Sequence, residues 1–132
     1  MRSVAAAGAV ALLSATSFAA QDPAKIVPVR FAHGASSTAI KGSVRGHASV
    51  NYMVRARAGQ TMTVRLTTSN SSNYFNVTAP GADAALFIGS SAGNRFSATI
   101  RSTGTYMLRV YLMRNAARRN ERAHYTLNIA VL

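Results

Sequence analysis

The sequence predicts an all-β protein, a single antiparallel β-sandwich that is jelly-roll-like and has eight or nine strands. Apolar and polar side chains alternate in many short runs, which is typical of strands with one buried face. Turn-forming residues separate these runs at short intervals, as in other sandwiches and flattened barrels. No long segment has a helical period. These observations together indicate one domain with one core.

The N-terminal residues have the pattern of a cleaved signal peptide. Met1–Ser3 is a short cationic start, Val4–Leu13 is apolar, and Ser17-Phe18-Ala19 places small residues at the cleavage positions. The apolar run is shorter than the roughly 20 residues that a transmembrane helix needs. We therefore expect a signal peptide over residues 1–19 and one β-sandwich binding domain over residues 20–132, located in a bacterial periplasm or secreted.

The first half of the domain contains four alternating runs. Their apolar positions are Val27, Val29 and Phe31; Ile40 and Val44; Val50, Tyr52, Val54 and Ala56; and Met62, Val64 and Leu66. The segment Ala58-Gly59-Gln60 predicts a turn between the last two runs. Each run is long enough for one strand.

The second half continues with shorter runs and ends in the two clearest patterns. Strand-like segments are Tyr74 to Val77, Leu86 to Ile88, and Phe96 to Ile100, with a Pro80-Gly81 turn between the first two. The final patterns are Tyr106, Leu108, Val110 and Leu112, then Tyr125, Leu127, Ile129 and Val131. We expect these two strands to form a terminal hairpin.

The chain is strongly basic because arginine is abundant. Fifteen Lys and Arg residues oppose three Asp and Glu residues, for a formal net charge of +12. A guanidinium offers a planar fork of donors that fits carboxylate or phosphate, so this composition favours an anionic ligand. The alternative for arginines at alternate strand positions, such as Arg55 and Arg57, is a solvated sheet face. The chain has no cysteine, so disulfides do not stabilise it.

The sequence gives little support for catalysis. The acidic residues are Asp22, Asp83 and Glu121, and we expect the last to pair with a neighbouring arginine. Gly89–Gly93 matches G-x-S-x-G, but the large parallel sheet that a nucleophile elbow needs is not indicated. We expect no enzyme and no catalytic residue.

Metal and cofactor sites have equally little support. The three histidines, His33, His47 and His124, are far apart in sequence, and no thiol can join them in a metal site. No glycine-rich phosphate loop is present. We expect surface histidines, no metal and no cofactor.

The segment Arg114 to Asn120 is the most promising binding element. It contains three arginines and two asparagines between two strong strand patterns. Loops held by a rigid scaffold often carry function. Three polar loops are expected to project from the sandwich: Ser69 to Asn73, Gly89 to Asn94, and Arg114 to Arg122. Those that the topology brings to one end of the sandwich would form a composite binding edge.

Several stretches resemble the family of periplasmic inhibitors of g-type lysozyme. They are V-x-V-R-F-A-H-G-A-S-S (Val27 to Ser37), G-S-V-R-G (Gly42 to Gly46), Tyr52, A-R-A-G-Q-T (Ala56 to Thr61), G-T-Y-M-L-R-V (Gly104 to Val110) and R-N-A-A-R-R-N (Arg114 to Asn120). Only the last stretch is distinctive. The A-G-Q-T and G-T-Y-x-L-R-V stretches also resemble the pre-peptidase C-terminal type of sandwich domain.

The resemblance implies an inhibitor that inserts basic loops into the active-site cleft of a g-type lysozyme. A glycosidase cleft holds at least one catalytic carboxylic acid, with which an arginine fork can pair. The implied contacts are Arg114, Asn115, Arg118 and Arg119, with Asn73 and Tyr74 as further candidates. For Arg109, inside a strand, we expect a supporting or solvent-facing role.

Two other functions remain open at this point. The first is an exported polyanion-binding module for lipopolysaccharide, DNA or another anionic polymer, because a strongly basic domain is the usual electrostatic footprint of such binding. The second is a structural or adhesive module of an envelope complex. Exposed sheet edges leave both a monomer and a homodimer possible.

Overall fold

Strands form where the sequence alternates, and their inward side chains make one core between two sheets. The computed structural model describes residues 24–132. The expected cleavage site after Ala19 lies outside these residues. The strands are β1 (Lys25–Pro28), β2 (Ser37–Arg45), β3 (Val50–Ala56), β4 (Thr61–Thr68), β5 (Asn73–Thr78), β6 (Phe87–Ile88), β7 (Arg95–Thr99), β8 (Gly104–Leu112) and β9 (Arg122–Val131). Two single helical turns, α1 (Gly89–Ala92) and α2 (Arg114–Arg118), connect strands of different sheets.

The strand order confirms the predicted sandwich and gives it jelly-roll connectivity. One sheet has the order β1-β3-β8-β5-β6, and the other has the order β2-β9-β4-β7. Strands β2 to β9 form two four-stranded layers, with consecutive strands in different layers except for the neighbouring pair β5 and β6, as in a jelly roll. The added strand β1 pairs in parallel with β3, and this pair departs from the expected antiparallel arrangement.

Apolar side chains at the alternating positions fill the space between the sheets. The final two strand patterns are buried as predicted, from Tyr106 to Leu112 and from Tyr125 to Val131. Phe87 stacks at an angle between Phe75 and Phe96, with ring centroids 5.3 and 5.2 Å away. These contacts bring the edge strand β6 against both layers.

A pair of buried tyrosines links the two sheets across the core. The hydroxyls of Tyr52 on β3 and Tyr125 on β9 are 2.7 Å apart. Gly42 on β2 leaves room for the second ring, because a Cβ there would lie 2.7 Å from Tyr125 Oη. Burial is the main cause that raises the pKa of Tyr125, and the hydrogen bond with Tyr52 adds to it.

The prediction of a terminal hairpin is wrong. Strand β8 pairs with β3 and β5, whereas β9 pairs with β2 and β4 in the opposite sheet. Residues 113–121 therefore cross from one layer to the other over the end of the sandwich. The physical reason is that alternation shows which face of a strand is buried. It does not distinguish a hydrogen-bonded neighbour from a strand across the core.

Within residues 24–132, no helix is long and apolar enough to span a membrane.

Candidate functional site

The crossing segment between β8 and β9 contains the single helical turn α2 where the sequence indicated a loop. Ala116 and Ala117 are buried against the end of the sandwich. Because a helix repeats every 3.6 residues, the positions on either side of this alanine pair point outward. The exposed side chains of the turn and its flank are Arg114, Asn115, Arg118 and Arg119.

Asn120 ends α2 in the left-handed conformation, with φ of 57°. Its backbone N–H donates to Ala117 O at 2.9 Å, and the N–H of Glu121 donates to Ala116 O at 3.1 Å. These two bonds form a Schellman motif, in which asparagine takes the place that glycine usually occupies. The side-chain amide of Asn120 is oriented with its oxygen toward the Arg45 guanidinium. This oxygen accepts from Arg45 Nε at 3.2 Å and from Nη2 at 3.0 Å.

Backbone and side-chain hydrogen bonds bring the three polar loops of the sequence analysis to one end of the sandwich. Met113 N donates to Ser72 O at 2.9 Å, which fixes the start of α2 to the β4–β5 loop. Asn94 Nδ2, just after α1, donates to Asn73 O at 3.3 Å. The β2–β3 turn joins them, since Gly46 N donates to Glu121 O at 2.9 Å. We call these four segments the α2 end: residues 46–49, 69–73, 89–94 and 113–121.

Glu121 holds the α2 end together and neutralises one of its arginines. Its carboxylate accepts from Asn70 Nδ2 at 3.0 Å and from Arg119 Nε at 2.8 Å. The hydrogen bond from Asn70, followed by that from Arg119, holds the pKa of Glu121 below its ordinary value. The expectation that Glu121 pairs with a neighbouring arginine is confirmed. Within residues 24–132, this is the one ion pair between acidic and basic side chains.

A groove of about 890 Å³ runs beside α2. Arg114 and Arg118, one helical turn apart, line it from one side, and Arg109 on β8 lines it from the sheet. The Arg118 guanidinium donates to Asn115 Oδ1 at 2.9 Å, which orients it along the helix surface. Three arginines therefore line one groove.

Part of the groove wall has unused hydrogen-bonding capacity. Ser49 is only 4% exposed, yet its Oγ makes no hydrogen bond within residues 24–132. Nearby, Tyr111 donates its hydroxyl hydrogen to Asn76 Oδ1 at 3.0 Å. A buried polar atom without a partner costs stability, and this oxygen is itself buried behind the groove surface.

The structure separates the predicted contact residues into different environments. Arg114, Asn115 and Arg118 are exposed on α2, whereas Arg119 is exposed but paired with Glu121. Tyr74 is half-buried on β5, beside α1. These residues share one end of the molecule.

Asn73 does not fit the expected role of a direct contact. Its side chain is fully buried, and its Nδ2 donates to Tyr111 O at 2.9 Å. The residue is the first of β5, where this bond ties the β4–β5 loop to β8. Its environment is that of a positioning residue.

Sequence reasoning missed several groove residues. Arg109 was expected to support the loop or to face solvent, and it is indeed exposed, but it also lines the groove. Arg109 and Tyr111 occupy the outward positions of the strand that leads into α2, so extending the alternation to the polar face could have found them. No local signal could have found His47 and Ser49, because the fold brings their turn beside α2.

Residues 24–132 contain no cluster of three or more His, Asp or Glu side chains that could hold a metal ion. The three histidines are exposed and lie on separate segments.

Comparison with known proteins supports the β-sandwich fold. No protein-family model matches the chain. The solved structure of Aeromonas hydrophila PliG, described as a periplasmic inhibitor of g-type lysozyme, is 39% identical, with a TM-score of 0.74 over 82% of this chain and 96% of that one. A pre-peptidase C-terminal domain of a Bacillus anthracis collagenase shares the fold alone, with 17% identity and a TM-score of 0.57 over 85% of this chain and 99% of that domain.

A curated relative matches the chain over nearly its full length. The Inhibitor of g-type lysozyme from Escherichia coli strain K12 is 32% identical over 130 residues, which cover 92% of this chain and 90% of the relative. The chain therefore belongs to the family of g-type lysozyme inhibitors, whose members are inhibitor proteins and not enzymes.

Proposed function

We propose that this protein is a periplasmic inhibitor of g-type lysozyme and that it closes the target's active-site cleft with the α2 end. Membership of the inhibitor family supports the activity, and the periplasmic description of the Aeromonas relative supports the location. Export would use residues 1–19 as a cleaved leader, which leaves residues 20–132 as the inhibitory domain.

The observation that carries the proposed mode of binding is the cationic groove beside α2. Arg109, Arg114 and Arg118 line one surface, whereas the nearby carboxylate of Glu121 is engaged by Asn70 and Arg119. Guanidiniums without a carboxylate partner are free to pair with the acidic side chains of a glycosidase cleft. Electrostatic complementarity of this kind fixes the register of an interface.

The α2 end is also stiff enough to act as an inhibitor. The buried alanines and the Schellman motif hold α2, and bonds from Asn70 and Gly46 fasten the following residues. A preorganised binding element loses little conformational entropy on association, which favours tight binding.

The proposed contacts have different roles. Arg114, Asn115 and Arg118 touch the target directly. Arg119 shapes the segment through Glu121 and contributes a weaker contact from its exposed side. Tyr74 lies at the rim beside α1, and buried Asn73 positions the β4–β5 loop.

Muramidase assays with single-arginine variants test the proposal. We expect the purified protein to inhibit a g-type enzyme more than a c-type enzyme. Replacing Arg114 or Arg118 by alanine should weaken inhibition by roughly thirtyfold, the usual threshold of an interface hot spot.

The matched control is Arg57→Ala, which removes an exposed arginine from the β3–β4 turn at the opposite end of the sandwich. Its inhibition constant should stay within about twofold of the parent value. Equal losses in all three variants would indicate a general charge effect and contradict the proposed interface. Absence of inhibition at micromolar excess over a g-type lysozyme would contradict the proposed activity itself.

A further inference from the structure

The outer face of the β2-β9-β4-β7 sheet is cationic and lies outside the α2 end. Its strands contain no Asp or Glu, and their exposed basic side chains include Lys41, Arg65 and Arg95. Within residues 24–132 the acidic side chains are Asp83, in the β5–β6 loop, and Glu121, which is paired with Arg119. No carboxylate therefore balances the centre of this face.

Two arginines lie directly opposite each other on this face. In the β4–β7 ladder, Arg65 is the cross-strand partner of Arg95, and both side chains are exposed. Like charges at directly opposed positions destabilise a sheet. An arrangement that is unfavourable for the free protein becomes favourable when an anion lies between the two guanidiniums.

A shallow pocket adjoins the arginine pair and offers polar groups of another kind. Its volume is about 360 Å³, and its lining includes Ser37, Thr63, Arg65, Arg95, Asn128 and Ala130. Asn128 is the cross-strand neighbour of Arg65 on the other side, and Thr63 Oγ1 lies 3.3 Å from Ser97 Oγ. Hydroxyl and amide groups next to a pair of guanidiniums fit a ligand that combines hydroxyls with an anion.

We propose that this face carries a second binding site, specific for a phosphorylated saccharide. Arg65 and Arg95 bind the phosphate through charge-assisted hydrogen bonds. Thr63 and Asn128 bind hydroxyls of the sugar. The same chemistry occurs in a free sugar phosphate and in the phosphorylated headgroup of a glycolipid, and the experiment below distinguishes these sources.

The composition of the face argues against single-stranded nucleic acid as the ligand. The aromatic residues of these four strands, Phe96 and Tyr125, are buried in the core. Single-strand binding relies on exposed aromatic platforms for the bases.

Isothermal titration with glucose 1-phosphate, and with neutral glucose as the control ligand, tests the site. The intact protein should bind the phosphate ester and not glucose. In the double variant Arg65→Gln/Arg95→Gln, affinity should fall at least roughly tenfold, because two charge-assisted contacts are removed. Vesicles containing lipid A, compared with phosphatidylcholine vesicles, reveal whether the glycolipid headgroup is bound in preference to the free ester.

The charge-matched control is Arg57→Gln/Arg101→Gln, which removes two exposed arginines from turns at the opposite end from α2. It should bind glucose 1-phosphate as the parent does. Should the Arg65/Arg95 variant fold poorly, the single variant Arg95→Gln takes its place, and circular dichroism establishes folding in each case. Inhibition of g-type lysozyme should be unchanged in every variant, which separates this site from the proposed inhibitory surface.

Three results would overturn the proposal. One is equal affinity of the parent and the Arg65/Arg95 variant for glucose 1-phosphate. Another is an equal loss of affinity in the charge-matched control, which would indicate a diffuse cationic surface. The third is tighter binding of a random oligonucleotide than of either phosphorylated saccharide.

Discussion

Asn120 determines where α2 ends, and therefore how its arginines are presented. Its left-handed backbone permits the two bonds of the Schellman motif, and its amide contacts Arg45 from the β2–β3 side. Asparagine tolerates this conformation better than most residues because its short polar side chain can hydrogen-bond locally. A single residue thus connects the helix terminus to the neighbouring turn.

Replacing Asn120 by alanine should destabilise the protein by about 1–2 kcal/mol, because a Cβ-bearing residue without the amide is strained in the left-handed region. Asn120→Gly removes the same amide but relieves the strain, so it should lose less stability. Urea denaturation of the two variants measures the difference. Both variants lose the contact with Arg45, so a glycine variant that is the less stable of the two would contradict the role assigned to the left-handed backbone conformation.

Residues of the α2 end could be predicted from sequence only where their chemistry is local. The arginines and asparagines of R-N-A-A-R-R-N, and the pairing of Glu121, follow from residue type and spacing. The burial of Asn73 does not, because an asparagine before a strand has the same local pattern whether it contacts solvent or the backbone of a distant strand. His47 and Ser49 join the site through the fold alone.

Among the secondary structure elements, strands were predictable and their partners were not. Alternation locates the buried faces of β8 and β9, since it reflects contact with one core. The assignment of these strands to opposite sheets depends on pairings between residues far apart in the chain. The single turns α1 and α2 are too short to show a helical period, and α2 is fixed by tertiary burial of two alanines.

The two layers are joined across the core by Tyr52 on β3 and Tyr125 on β9, and this contact predicts a pH dependence of stability. Burial and the hydrogen bond raise the pKa of Tyr125. At a pH where the phenol ionises in the unfolded chain, it therefore remains neutral in the folded protein. The stabilisation is fully present below the unfolded pKa of about 10. It is lost as the pH rises above that value, because only the unfolded state then releases the proton.

Between pH 9 and pH 11, the parent should lose about 1.4 kcal/mol of unfolding free energy through Tyr125 alone. This part of the loss should be missing in Tyr125→Phe, although that variant is less stable at pH 8 because it leaves the Tyr52 hydroxyl without its partner. Urea denaturation at several pH values measures both effects. Val54→Ala, which destabilises the core without removing a titratable group, is the control and should keep the parental slope. Identical slopes for the parent and Tyr125→Phe would contradict the assignment.

On the scale of the whole molecule, the jelly roll separates two cationic surfaces. The α2 end gathers loops from both sheets, while Arg65 and Arg95 lie on the outer face of one sheet. Composition alone suggested an anionic partner without indicating where it binds. The topology gathers the proposed target contacts at one end of the sandwich and places Arg65 and Arg95 on a separate sheet face.

The net charge of +12 also predicts that added salt stabilises the folded protein. Folding brings like charges closer together, and the screening length falls from about 30 Å at 0.01 M salt to about 8 Å at 0.15 M. We expect the unfolding free energy to rise by on the order of 1 kcal/mol over this range, as measured with urea, which is uncharged. Removing Arg65 and Arg95 together should reduce this response more than removing Arg57 and Arg101, because the first two are opposed across adjacent strands. A salt response that is equal in both double variants would mean that the repulsion is spread over the surface and is not concentrated at the arginine pair.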